Sequence, residues 1–288
     1  MNVSEGHRLR VGVVSGSRLP YSRLSERWQE LEELGFDTAW VTDHFITGNE
    51  PDNDNEPIYE AWTLIAGLAT ATKRIRFGIM VCGNTYRNPA LLAKQAVTVD
   101  HISNGRLELG IGAGWWVREH EAYGYPMPGA RELVDRFAEA LEIISALQAQ
   151  PRTEFRGDYY WVADAPFEPK AIQQPHIPLI VGASGPRMLG VTAKHADIWN
   201  TRAPVEESKQ RSQLLDRRCR DIGRDPGEIM RSTWPYQHPW DSLENVQDVI
   251  QSFRDVGFTD FVFAWPPDEK HNVMVEFARE ILPALRTD

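Results

Sequence analysis

The chain is poor in cysteine, with Cys82 and Cys219 as its two. Two thiols make neither a disulfide framework nor a zinc-ligand cluster, and they suit a reducing compartment. Long apolar runs are missing as well, since none approaches the ~20 residues that span a bilayer. The opening stretch, Met1 to Arg10, is polar and lacks the apolar core of a signal peptide, so the expected location is the cytoplasm. Excess positive charge is also absent. The 41 acidic and 31 basic residues give a formal net charge of -10, which disfavours nonspecific binding to nucleic acid or anionic lipid. No nucleic-acid or membrane partner is expected, although a local basic patch can still hold a small anion. Neither His-x-His nor His-Glu-x-x-His occurs. A metal-dependent hydrolase would want such pairs, so no metal is expected.

What is present is an ordinary globular composition, 42% hydrophobic and 25% charged over 288 residues. That length suits one barrel domain of roughly 250 residues with extensions, and residues 1–288 are read as a single domain. Short β-like runs alternate with amphipathic helices. The runs are Leu9 to Val14, Thr38 to Thr42, Ile75 to Cys82, Arg106 to Ile111, Pro178 to Val181, Ala196 to Trp199, Ile229 to Trp234 and Phe258 to Ala264. Between the first two, Leu24, Trp28, Leu31 and Leu34 recur at helical spacing, and Gly35 supplies a stop. Pro89 opens another helix. Residues 150 to 175 break the rhythm: Phe155, Tyr159, Tyr160 and Trp161 flank Gly157-Asp158, which predicts a hairpin-like insertion.

Eight strand–helix units imply parallel strands closed into a (β/α)8 TIM barrel, an α/β fold, with the insertion before strand five. The competing architecture is an open doubly wound sheet. In such a barrel, chemistry sits where strands end at their C-termini. The residues there are aromatic and glycine-rich, with His44 as the one clear histidine. This suits a large planar ligand carrying a phosphate better than it suits a metal.

His44 can exchange a proton near neutral pH. Asp43 could orient it, although neighbours on a strand point to opposite faces. In Gly110-Ile111-Gly112-Ala113-Gly114-Trp115 the glycines can admit a ligand or simply form a tight turn. Gly182-Ala183-Ser184-Gly185-Pro186-Arg187 follows a buried strand and opens a helix. Free N–H groups and the helix dipole there favour an anion, with Ser184 adding a hydroxyl and Arg187 a possible charge. His101 and Cys82 read as structural.

Taken together, Trp40-Val41-Thr42-Asp43-His44-Phe45, Thr85-Tyr86-Arg87-Asn88-Pro89, the stretch Val99 to Trp115, Gly182 to Pro186 and Ala196 to Asn200 resemble the luciferase-like monooxygenase superfamily. The nearest branch is its F420-dependent oxidoreductases. The resemblance implies coenzyme F420, or alternatively FMN, and hydride transfer to or from a small, rather apolar organic substrate. It implies a cis peptide at Met80-Val81 beneath the cofactor ring, and the cofactor phosphate in the loop Gly182 to Pro186. Cofactor contacts are expected from Asp43, Met80, Val81, Gly83, Asn84, Gly114, Arg118, Ala183, Ser184, Gly185 and Pro186. His44 would act as proton donor or charge stabiliser. A homodimer is the common assembly in such a family. One departure stands out. Sugar-phosphate dehydrogenases of this branch carry a glutamate directly after the last glycine of the fourth-strand motif, where this chain has Trp115. A more apolar substrate would fit Trp115, Trp116, Trp234 and Trp265. The alternatives are an FMN-dependent monooxygenase and a noncatalytic flavin-binding protein.

Overall fold

The computed structural model describes residues 7–48, 56–236 and 238–286; Met1 to Gly6, part of the polar opening stretch, lie outside them. The strands in order are β1 (Arg10–Val14), β2 (Thr38–Val41), β3 (Arg76–Ile79), β4 (Cys82–Gly83), β5 (Leu107–Gly112), β6 (Arg152–Arg156), β7 (Trp161–Pro166), β8 (Leu179–Gly182), β9 (Ile198–Thr201), β10 (Met230–Thr233) and β11 (Asp260–Ala264). The helices that matter below are α1 (Tyr21–Glu33), α2 (Ala61–Ala71), α3 (Pro89–Ser103), α4 (Val117–Tyr123), α5 (Ala130–Ala149) and α6 (Pro186–His195).

Parallel pairing runs β1–β2–β3–β5–β8–β9–β10–β11 and returns to β1 through Arg10 opposite Asp260. The sheet therefore closes, and the open doubly wound alternative is set aside. The short β4 carries the path of β3 onward after a cis Met80–Val81 peptide and pairs with the end of β5. Antiparallel β6 and β7 form the expected hairpin ahead of β8, the fifth barrel strand. Gly35 ends α1 at φ +82°, a conformation glycine reaches without a Cβ penalty.

Alternation along each strand sorts the core into two layers. Val11, Val13, Phe77, Ile79, Leu109 and Ile111 belong to the large cluster shared with the surrounding helices. Val14, Trp40, Met80, Ile180, Ile198 and Val262 form a separate cluster inside the barrel. Trp40 dominates that interior. A Cβ at Gly78 would lie 2.7 Å from its Cζ3, and one at Gly12 would lie 2.9 Å from its Nε1. The indole N–H donates to Thr38 Oγ1 at 2.8 Å. Two glycines, on the strands either side of β2, thus make room for one tryptophan.

The N-terminal end of the barrel holds a buried ion network. Arg10 donates to Glu108 at 2.7 Å and to Asp260 at 2.9 Å, while Arg76 donates to Glu108 at 2.6 Å. Burial alone would raise the Glu108 pKa, but the two guanidiniums outweigh it and hold the carboxyl down at about 2. His101, on the same end, contacts the Lys170 carbonyl at 2.8 Å, in keeping with a structural role.

Candidate functional site

A cavity of about 620 Å³ opens at the C-terminal ends of the strands. One wall comes from the segment after β2, with Asp43 and His44. The floor is Met80 to Gly83, and Gly112 to Trp115 follow β5. Gly182 to Gly185 stand at the end of β8, Asn200 and Arg202 at β9, and Trp234 and Tyr236 beyond β10.

The local sequence explains this shape. A Cβ at Gly112 would lie 2.9 Å from Val81 Cγ2, and one at Gly182 3.0 Å from the same methyl. A Cβ at Gly110 would fall 2.0 Å from the Ile79 carbonyl oxygen. Gly110 and Gly112 therefore admit the neighbouring strand and the Val81 side chain. They do not serve primarily to admit a ligand. Gly114 adopts φ +93°, where a side chain would be strained and would strike Thr85.

His44 is held by a carboxylate from another part of the chain. Its Nδ1 lies 3.2 Å from Glu119 Oε2. The Glu119 side chain, on α4, is fully buried and also accepts from the Tyr86 hydroxyl and from the Phe45 and Ile46 N–H groups. Burial would raise the Glu119 pKa, but the bonds from His44, Tyr86 and Phe45 hold it below the ordinary carboxylate value. Burial and the bond to Glu119 together push the Tyr86 phenol upward. An ionised carboxylate only accepts, so the tautomer that suits this contact carries its proton on Nδ1 and leaves Nε2 unprotonated. The ring meets Trp116 edge-on at 4.9 Å and Trp115 at 6.0 Å, and the two indoles stack at 5.5 Å.

Asp43 does not orient His44. Its carboxylate takes both guanidinium nitrogens of Arg87, one at 2.5 Å and one at 2.9 Å, and accepts the Gly83 N–H at 3.0 Å. Arg87 reaches on to Glu60, which caps α2 through the Trp62 and Thr63 N–H groups. This chain of bonds ties the end of β2 to β4. Cys82 is buried beside it, and burial raises its thiol pKa far out of the reactive range.

The other sequence candidates divide between cavity and surroundings. Met80, Val81, Gly83, Gly114, Ala183, Ser184 and Gly185 line the cavity. Pro186 is the first residue of α6, whose N-cap, Gly185, makes no side-chain cap bond. Asn84 is buried beneath the wall, its Nδ2 3.5 Å from the Tyr160 hydroxyl and its Oδ1 without a partner. Arg118 lies on α4, half-buried and outside the lining. Arg187 pairs with Asp135 of α5 at 2.5 Å and is not among the residues that line the cavity. Trp265 borders a different hollow, where Arg27 stacks 4.3 Å above its ring.

Two residues are placed here that sequence reasoning does not assign. Glu119 is the partner of His44. Arg202 is the guanidinium that lines the cavity, 4.8 Å from the ring centres of both Trp234 and Tyr236. Among the described residues, no group of three His, Cys, Asp or Glu side chains is placed to hold a metal ion. No described helix is long and apolar enough to cross a membrane.

Comparison with known proteins supports the same architecture. Residues 4–274 match the model of the luciferase-like monooxygenase family. A protein named F420-dependent glucose-6-phosphate dehydrogenase from Amycolatopsis mediterranei is 35% identical over 57% of this chain, a match spanning 47% of that relative. One of the same name from Kineococcus radiotolerans is 25% identical over 98% of this chain and 99% of its own length. The solved structure of an F420-dependent secondary alcohol dehydrogenase, in complex with an F420-acetone adduct, superposes with a TM-score of 0.85 at 20% identity. That superposition covers 97% of this chain and 100% of the other. With nearly its whole length matched by the family model, the chain belongs to the luciferase-like monooxygenase family.

Proposed function

We propose that the protein is an F420-dependent oxidoreductase that moves a hydride between the deazaflavin and a small organic substrate, with His44 handling the accompanying proton. The observation that carries this reading is the buried Glu119–His44 pair at the wall of an aromatic, glycine-edged cavity. The F420-dependent names of relatives at both partial and full coverage add to it.

The residues suit such a cofactor. A Cβ built on Gly185 meets nothing within 4 Å, so the loop leaves open space where a ligand's phosphate can approach bare backbone. The start of α6 lies directly behind this loop, and its dipole favours an anion. When bound, the deazaflavin supplies the hydride donor or acceptor.

The protein's part is proton handling and enclosure. Oxidising an alcohol removes a proton from its hydroxyl, and Nε2 of His44 takes it. Reducing a carbonyl runs the same transfer backwards. Glu119 stabilises the imidazolium that forms. Trp115 and Trp116 meet the His44 ring with apolar surface, which limits water there. Trp115 stands where the sugar-phosphate dehydrogenases are expected to carry glutamate, and this argues against glucose 6-phosphate as substrate.

The family's description as monooxygenases favours FMN with oxygen as a second reading. Fluorescence titration of the purified protein with F420 and with FMN tests the choice. The expected result is tighter binding of F420. Tight FMN binding without F420 binding would overturn the proposal.

A further inference from the structure

We infer that Arg202 is an anion-reading residue of the cavity: it receives a carboxylate or phosphate group of a molecule bound there. The inference rests on the charge inventory of the cavity wall. Asp43 is neutralised by Arg87. His44 and Tyr86 both donate to Glu119. Arg202 is the lining cation that no described carboxylate pairs with. An uncompensated guanidinium in a chain of net charge -10 is a specific placement, since acidic neighbours are abundant.

Its surroundings present the charge for recognition. Trp234 and Tyr236 lie 4.8 Å from its guanidinium carbon. Cation–π contact steadies the planar group, and a guanidinium held in this way can still offer its N–H fork to an oxyanion. Asn200, two residues earlier, lies opposite Gly182 in the β8–β9 pairing. Arg202 therefore follows the strand adjacent to the loop Gly182 to Pro186. An acidic group of the cofactor can reach it there, and so can an acidic group of a substrate in the cavity. The chemistry is the same for both, and the two sources are separable.

The test compares the native protein with Arg202→Gln and Arg202→Lys. The side chain is exposed, so neither change threatens the fold, and circular dichroism verifies that. The first arm titrates F420 against the same deazaflavin lacking its phosphate-bearing tail. The second titrates the cofactor-loaded protein with phenyl phosphate and benzoate against benzyl alcohol and benzamide, read through tryptophan fluorescence. If Arg202 reads the cofactor, Arg202→Gln weakens F420 at least tenfold and leaves the tail-less compound unchanged. If it reads the substrate, the anionic probes weaken at least tenfold and the neutral ones do not. In either arm Arg202→Lys recovers only part of the loss, because it keeps the charge without the fork. Equal affinities of native and Arg202→Gln protein for every anionic ligand would overturn the inference. Should F420 fail to bind while the acidic probes still depend on Arg202 in the unloaded protein, the cofactor assignment fails and this inference stands.

Discussion

Nδ1 of His44 and Oε2 of Glu119 lie 3.2 Å apart although 75 positions separate them in the chain. Replacing His44 by Ala is expected to lower kcat by about 10²–10⁴-fold, the usual worth of a positioned acid–base group. Cofactor affinity should change only by a small factor. Glu119→Gln removes the carboxylate that holds Nδ1 of His44, so the ring loses its fixed orientation and kcat falls. The double variant should be no slower than His44→Ala, because both act through one proton transfer. Steady-state kinetics with any substrate the native protein accepts decides this. Additive losses would mean that Glu119 acts apart from His44.

The loop before α6 makes a separate prediction about affinity. Gly185→Val places a branched side chain in space that is now open. Binding of F420 should weaken at least tenfold, with kcat at saturating cofactor little changed. Isothermal titration supplies the affinity. An unchanged dissociation constant would remove the phosphate from this loop.

Acid stability should depend on Glu108. Its folded pKa is held at about 2, below an ordinary value of 4.5. A depressed carboxyl contributes stability that is complete above the higher value and is lost as pH falls through the lower. Glu108→Gln leaves Arg10 and Arg76 facing a neutral amide, and at pH 7 it should cost about 3–5 kcal/mol, as when a buried ion pair loses one partner. As pH drops from about 4.5 to about 2, the native protein gains the same proton and the gap narrows. Urea denaturation at several pH values measures it, and a gap independent of pH would contradict the assignment.

The barrel was legible because each strand run is apolar and each helix amphipathic, signals that depend on neighbours a few residues apart. The cis Met80–Val81 peptide was legible through family resemblance alone, since nothing in the residue types near Val81 demands it. Glu119 escaped because its importance arises from long-range packing: in sequence it is one acidic residue among several in Arg118-Glu119-His120-Glu121. Arg187 looked suited to the anion loop by proximity, but its position on α6 faces α5 and Asp135. Arg202 follows β9 without any motif, and the pairing of β9 with β10, some thirty residues on, brings it beside Trp234. Trp265 shows the converse, a strand-end aromatic that packing diverts into a neighbouring hollow.

The tryptophan seated between Gly12 and Gly78 has a consequence beyond packing. Among the described residues, Trp40, Met80, Ile180 and Val262 pack together inside the barrel, between its arginine-rich end and the reaction chamber. The chamber therefore sits at one end of the barrel, edged by the exposed rings of Trp115 and Tyr236. Ligands are expected to enter past those rings, on the same side of the molecule that exposes part of His44.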